Sequence, residues 1–228
     1  MIQKPYPHLG ETVWEGTTSN GLPVRVVRKH GFAKTYAFLA VNYGSMDSRF
    51  LVDGVCHDTP QGVAHYLEHK MFDMPNGNAM QMFSEFGGSP NAFTSYDMTA
   101  YYVECSDHVA ENLRILLEYV NTPWFTAESV EKERGIIAQE IRMYEDSADS
   151  CVFDRLYAAA FAHHPIRNPI AGTVESIGEI TEQTLYDCYH GFYTPSNMML
   201  CVVGDVEPQM VFDLAEKLTP QGGSTPKR

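Results

Sequence analysis

Positive charge is scarce in this 228-residue sequence, where 16 lysines and arginines face 29 aspartates and glutamates and leave a net charge of −13. Binding to phosphate backbones needs clustered basic side chains, so the composition argues against a nucleic-acid ligand. It argues equally against an anionic membrane surface. No apolar run approaches the ~20 residues of a membrane-spanning helix, and the first residues lack the apolar segment of a signal peptide. We therefore expect a soluble protein.

Cysteines at paired spacing are also lacking. The sequence has 5 cysteines, and no two of them form a CxxC pair. An odd number without such spacing predicts free or buried thiols in a reducing compartment, so we expect a cytoplasmic location. Hydrophobic residues make up 44% of the chain and aromatic residues 12%. This content is enough to build a core, and it excludes a chain that is disordered throughout.

The order of predicted elements indicates an α+β fold. Runs of β-branched and aromatic residues predict strands in the first 45 residues, and Asn20-Gly21 is a hairpin signal between two of them. Residues 44–60 are expected to form a polar loop. The mixture predicts a largely antiparallel sheet with helices packed on one face. We expect one domain over residues 1–218 and a linker-like tail over residues 219–228. Helices are predicted over 62–72, 79–86, 109–120, 127–144, 152–162, 181–192 and after 208, with strands over 12–17, 24–28, 36–43, 92–96, 99–105 and 197–203.

A metal-binding pattern lies in the first predicted helix, where residues 65–69 read HYLEH. Positions i and i+4 of a helix project from one face, so His65 and His69 can bind one metal ion together. Glu68 projects toward the same side. This HxxEH motif is the HExxH zinc motif in reverse order. A carboxylate at this place can accept a proton from water as the water attacks a carbonyl group.

Two histidines leave a catalytic zinc site one protein ligand short. The predicted helix over residues 127–144 offers two candidates, Glu133 and Glu140, which are seven residues apart on one stripe of the helix. A glutamate on a buried helix face is costly unless it is paired or binds a metal. Periodicity alone does not choose between the two. The apolar residues of that stripe are Val130, Ile137, Ile141 and Tyr144.

Several segments, in order along nearly the whole chain, resemble the N-terminal domain of the pitrilysin family of inverzincin metallopeptidases. That family includes insulysin, the mitochondrial processing peptidase and bacterial processing proteases, and the resemblance implies a metallohydrolase-type α/β roll. The matching segments are GVAHYLEHKMF at 62–72, NAFTS at 91–95, EKERGIIAQE at 131–140, HP at 164–165, AGT at 171–173, PSNM at 195–198 and VGDV at 203–206.

The resemblance implies a role for each residue of the site. His65, His69 and Glu140 would bind one Zn²⁺ per chain, because the second glutamate of the family's Glu-x6-Glu pattern is the third ligand. Glu68 would be the general base. Glu133 would not bind the metal itself but would support the residues that do.

The resemblance also implies that the strand Asn91, Ala92, Phe93 and Thr94 is an edge strand that binds substrate. An edge strand can bind a peptide by adding it to the sheet. The alternative for Phe93 is a place in the core.

The function implied by the resemblance is zinc-dependent endopeptidase activity on short or unfolded peptides. In the family, a second homologous domain closes over the substrate and contributes an arginine and a tyrosine. This chain ends after one domain, so we expect a second homologous domain or subunit to complete the site. Two alternatives are a non-peptidase zinc hydrolase or lyase, and a partner subunit that is inactive without a second homologous domain.

Overall fold

The protein is described by a computed structural model that covers residues 1–223 and 226–227. The strands are β1 (Ile2–Tyr6), β2 (Glu11–Thr17), β3 (Pro23–Arg28), β4 (Thr35–Val41), β5 (Arg49–Val52), β6 (Val55–Asp58), β7 (Asp73–Met74), β8 (Gly77–Asn78), β9 (Ser89–Thr94), β10 (Thr99–Cys105) and β11 (Met198–Gly204). The helices are α1 (Val63–Lys70), α2 (Ala79–Glu85), α3 (Val109–Val120), α4 (Ala127–Glu145), α5 (Ala148–Ala160), α6 (Val174–Gly178), α7 (Glu182–Phe192) and α8 (Pro208–Leu218).

Seven strands form the main sheet in the order β1-β2-β3-β11-β4-β10-β9. Every neighbouring pair is antiparallel except β3 and β11, which run parallel. The predicted α+β class with a largely antiparallel sheet is confirmed. Strand β9 is the last strand of this sheet, so one of its edges has no neighbouring strand among the described residues.

The core lies on the helix-covered face of the sheet. In β4 the side chains alternate between faces, so Ala37, Leu39 and Val41 are buried whereas Tyr36 is 37% exposed on the other face. Helices α3 and α8 pack against the buried face through β10, β4 and β3. Helix α1 also lies against β9 and β10, which brings the predicted motif to the free edge of the sheet.

Several elements are not expected from the sequence, and one expectation is wrong. Residues 44–60 are not a loop throughout, because they contain the β5–β6 hairpin. Its turn is made by Asp53 and Gly54, whose φ angles are 49° and 83°. Two left-handed residues in a two-residue turn give the twist that a hairpin needs, and an Asp-Gly pair favours that conformation. The other elements that the sequence analysis does not predict are β1, the short strands β7 and β8, and the short helix α6.

The predicted tail, residues 219–228, contacts the domain where it is described. The Leu51 amide donates to the Lys227 carbonyl at 2.8 Å, and the Lys227 amide donates back at 3.0 Å. Ser224, Thr225 and Arg228 of this tail lie outside the described residues. Helix α8 ends at Leu218, but a domain boundary at residue 218 stays a prediction.

Candidate metal centre

Helix α1 is positioned by a close backbone contact at its start. Gly62 precedes it with a φ of +87°, and a Cβ atom there would lie 2.4 Å from the Ala171 carbonyl oxygen. Only glycine meets both conditions at low cost. One turn into the helix, the His65 and His69 rings project side by side with centroids 4.6 Å apart. The local sequence therefore fixes both the start of α1 and the face that carries the two imidazoles.

Helix α4 brings a carboxylate to these two imidazoles. Oε1 of Glu140 lies 3.5 Å from His65 Nε2, and Oε2 lies 3.3 Å from His69 Nε2. One ligand atom from each of the three residues falls within 4.8 Å of the others. Two imidazole nitrogens and a carboxylate oxygen are a donor set that catalytic zinc takes, with a fourth position left open. The three side chains therefore fit a zinc ion.

Glu133 stands behind this cluster and does not join it. Its carboxylate lies 2.9 Å from His69 Nδ1, on the side of the ring opposite the ligand nitrogen. Such a contact fixes the tautomer and the orientation of a ligating histidine. His65 differs, because its buried Nδ1 has no hydrogen-bond partner within residues 1–223 and 226–227.

Glu68 lies in the same site with its own anchor. It is buried, at 8% exposure, and the Thr94 hydroxyl of β9 donates to its Oε2 at 2.6 Å. Burial raises the pKa of Glu68, and the Thr94 hydrogen bond opposes that effect. The carboxylate is thus held at the junction of α1 and the edge strand.

The electrostatics of the cluster favour a positive charge at its centre. Burial acts to lower the pKa of His69, but hydrogen bonds to Glu133 and Glu140 outweigh it and raise the pKa to about 10. Hydrogen bonds from His65 and His69 hold the pKa of Glu140 well below its ordinary value. Three carboxylates surround two imidazoles, so a protonated imidazole or a bound cation compensates the negative charge.

A cavity of about 610 Å³ opens onto these residues. Asn91, Ala92, Phe93 and Thr94 of β9 all line it. Phe93 is 40% exposed and does not belong to the core, and its ring centroid lies 6.1 Å from that of Phe38 on the outer face of the sheet. The structure thus brings the predicted substrate strand to the candidate metal ligands.

The backbone of β9 alternates between its neighbour and the free edge. The Ser95 amide donates to the Met98 carbonyl at 2.7 Å, and alternation from this bond turns Phe93 toward β10 and Ala92 and Thr94 away from it. The Ala92 amide accordingly bonds the Oδ1 of Asn91, at 2.9 Å, and not β10.

Two models of known protein families match the sequence of this chain. The family model of insulinase (peptidase family M16) matches residues 33–174, which are more than half of the chain. The family model of the peptidase M16 inactive domain matches residues 179–225. The chain belongs to the M16 peptidase family. The predicted resemblance to the insulysin and pitrilysin group is confirmed.

Relatives of this M16 chain are longer than it is. A Bacillus subtilis protein named uncharacterized zinc protease YmfH is 47% identical over 209 residues, which are 90% of this chain and 49% of that protein. The mitochondrial-processing peptidase subunit beta of Dictyostelium discoideum is 31% identical over 88% of this chain and 42% of its own length. The chain spans about half the length of such relatives.

Solved structures show the same fold. An M16-like peptidase from Alicyclobacillus acidocaldarius superposes with a TM-score of 0.91 and 37% identity, over 99% of this chain and 53% of that one. The ferredoxin protease FusC, solved as a mutant in complex with Arabidopsis ferredoxin, gives a TM-score of 0.82 and 26% identity, over 100% of this M16 chain and 25% of that one.

Sequence reasoning misplaces one residue of the site. The periodicity of α4 predicts Tyr144 on the buried stripe with Val130, Ile137 and Ile141, but Tyr144 is 41% exposed and lines the cavity. Its hydroxyl donates to Glu140 at 2.7 Å. A tyrosine four residues after a candidate ligand on a helix is the signal that points to this contact.

Proposed function

We propose that this chain is a zinc-dependent endopeptidase domain. The observation that carries the proposal is the approach of His65, His69 and Glu140 to within 4.8 Å of one another, beside Glu68 and the free edge of β9. Membership of the M16 family supports a metallopeptidase, and the names of several relatives include zinc protease. One zinc ion per chain fits the single cluster of three ligands within the described ranges.

Each side chain has a chemical task in this proposal. A zinc ion, when bound, would supply Lewis acidity that polarises a carbonyl group and makes water a stronger acid. Glu68 accepts the proton of the attacking water and later delivers it to the amine that leaves. Thr94 orients Glu68 through the 2.6 Å hydrogen bond. Glu133 orients His69 through its Nδ1.

The substrate in this proposal is an extended segment of a short or unfolded peptide. The backbone groups of Ala92 and Thr94 face away from β10, so a peptide can pair with them as an added strand. Folded proteins seldom offer a free strand at their surface, because native edges are protected. The fold and the edge thus favour unstructured chains as substrates.

A second homologous domain or subunit completes the site in this proposal. The chain covers only 49% of the Bacillus relative and 53% of the Alicyclobacillus structure. Phe153 of α5, which lines the cavity, is 58% exposed, so that wall of the cavity stays open. The domain boundary near residue 218 belongs to the same proposal.

The proposed compartment is the cytoplasm, on the evidence of the cysteines. Cys56, Cys105, Cys151, Cys188 and Cys201 are all free thiols. No helix in the described part of the chain is both long and apolar enough to cross a membrane. Two solved neighbours are described as a periplasmic protease, so the compartment stays a prediction.

The proposal is tested first by metal content. Purified wild type, Glu140→Gln and Glu133→Gln are compared by mass spectrometry after exposure to zinc. We expect about one zinc in the wild type and in Glu133→Gln, and a loss in Glu140→Gln, because only Glu140 joins the ligand cluster. A wild type that takes up no zinc would overturn the proposed function. Zinc retained in Glu140→Gln would overturn the ligand assignment.

A further inference from the structure

Tyr144 contacts the candidate metal centre but is not one of its ligands. Its hydroxyl donates to Oε1 of Glu140 at 2.7 Å, from one turn further along α4. The side chain is 41% exposed and lines the cavity. Burial in the core therefore does not explain its position, whereas the bond to a ligand does.

The bond acts on one of the two carboxylate oxygens. Oε1 of Glu140 accepts the Tyr144 hydroxyl and lies 3.5 Å from His65 Nε2, while Oε2 lies 3.3 Å from His69 Nε2. A donor fixed on Oε1 restricts rotation of the carboxylate, which keeps Oε1 near His65 and Oε2 turned toward His69. A glutamate side chain that is free in solution loses rotamer freedom when it binds a metal, and this loss costs free energy. A side chain that is already held by Tyr144 loses less.

The arrangement matches the support that Glu133 gives to His69. Partners of this kind orient metal ligands before the metal binds, and their loss typically lowers metal affinity about 10- to 100-fold. Helix α4 supplies both supports, Glu133 at 2.9 Å from His69 and Tyr144 at 2.7 Å from Glu140.

We propose that Tyr144 is a positioning residue of the metal centre. Its hydroxyl holds the Glu140 carboxylate in the orientation in which it meets His65 and His69. The inference rests on the proposed function, since it takes these three residues to be zinc ligands. It predicts that the hydroxyl contributes to zinc affinity, whereas the ring contributes to the wall of the cavity.

The test compares the zinc affinity of wild type, Tyr144→Phe and Tyr36→Phe by competition with a chromophoric chelator. Tyr144→Phe keeps the ring and removes the hydroxyl. Tyr36 is a matched control, since it is 37% exposed and lies on the outer face of the sheet. We expect zinc affinity to fall about 10-fold in Tyr144→Phe and to stay unchanged in Tyr36→Phe. Thermal unfolding of the metal-free chains should be the same in all three.

The outcomes separate this inference from the proposed function. A wild type that binds no zinc would overturn the metal centre and the role of Tyr144 with it. A wild type that binds zinc no more tightly than Tyr144→Phe would overturn the role of Tyr144 alone. A rise in KM for a peptide without a change in zinc affinity would make Tyr144 a substrate contact and overturn its role in positioning. A lower melting temperature of metal-free Tyr144→Phe, with an equal loss of affinity in Tyr36→Phe, would show a general structural effect and also overturn the inference.

Discussion

At the scale of single residues, the protonation of Glu68 is set by two opposed effects. Its burial favours the neutral acid, while the Thr94 hydroxyl stabilises the carboxylate. A general base must be ionised when water arrives and must accept a proton afterwards. The Thr94 hydrogen bond favours the ionised form that is needed when water arrives. The raised pKa that burial causes makes the carboxylate a better proton acceptor than a fully solvated one.

Glu68→Gln should therefore separate catalysis from metal binding. Glutamine keeps the size and an oxygen that can accept the Thr94 bond, but it cannot accept the proton. We expect peptide hydrolysis to fall by about 10²- to 10⁴-fold, with zinc content unchanged by mass spectrometry. Glu85→Gln, on the exposed end of α2, is the control and should keep full activity. A Glu68→Gln protein that cleaves as fast as the wild type would rule out its role as the base.

The sequence predicts the grouping of the two histidines and Glu68 more directly than it predicts the third candidate ligand. Helix periodicity alone places His65, Glu68 and His69 on one face, because they stand at positions i, i+3 and i+4. Glu133 and Glu140 share a stripe, so their spacing does not distinguish them. The family resemblance implies Glu140, and the crossing of α1 and α4 brings that residue to both rings. The structure puts Glu140 at the Nε2 atoms of both rings and Glu133 at Nδ1 of one. A tertiary contact of this kind cannot be predicted from the spacing of residues along one helix.

At the scale of elements, α1 depends on a close approach of two backbone segments. A Cβ at Gly62 would lie 2.4 Å from the Ala171 carbonyl oxygen, and one at Gly172 would lie 2.5 Å from the Gln61 carbonyl oxygen. Both glycines have positive φ angles, +87° and +74°. The contact fixes the start of the helix that carries His65 and His69.

Gly62→Ala should destabilise the fold by about 2–4 kcal/mol, because it combines a left-handed backbone with a collision. The measurement is the free energy of unfolding in urea. Gly135→Ala is the matched control, since Gly135 lies within α4 and a Cβ atom added there would meet no atom within 4 Å. Alanine there should stabilise the protein by about 1 kcal/mol through its helix propensity. Equal effects of the two substitutions would contradict the assigned role of Gly62.

Elements with strong local signals are predictable from the sequence, and weak ones are not. Helix α7 begins after Thr181, whose side chain caps it, close to the predicted start at residue 181, and α3 spans the predicted residues. Strand β1 escapes prediction because its five residues are all exposed and include a proline. Such a strand forms by pairing with β2, not through burial of a hydrophobic face, so alternation does not reveal it.

The free edge of β9 is tested by Ala92→Pro. The Ala92 amide faces away from β10, so its loss should leave the sheet intact, as Pro90 already does two residues earlier on the same edge. A substrate strand loses one hydrogen bond, and we expect KM for an unstructured peptide to rise about 5- to 10-fold for a loss of about 1 kcal/mol. Zinc content and far-ultraviolet circular dichroism are the controls. An unchanged KM would contradict strand addition at this edge.

At the scale of the whole molecule, one helix stays largely open to solvent. Val152, Phe153 and Leu156 of α5 are 63%, 58% and 55% exposed, and no residue of α5 is buried. Exposed apolar side chains grouped on one helix are unusual for a surface that faces only water. The relatives are about twice as long as this chain. Both facts agree with a site that is incomplete in this chain alone.

Activity should therefore rise when the remainder of a relative is supplied. The part of the Bacillus subtilis relative that this chain does not match can be purified and added to it. If that part contributes a donor to the developing oxyanion, as the family resemblance implies, kcat for an unstructured peptide should increase by about 10²- to 10³-fold. The added part alone should cleave nothing, and Glu68→Gln should stay inactive in the mixture, because the proposed general base lies in this chain. A rate that does not depend on the added part, at concentrations where the two are shown to associate, would mean that this chain holds a complete site.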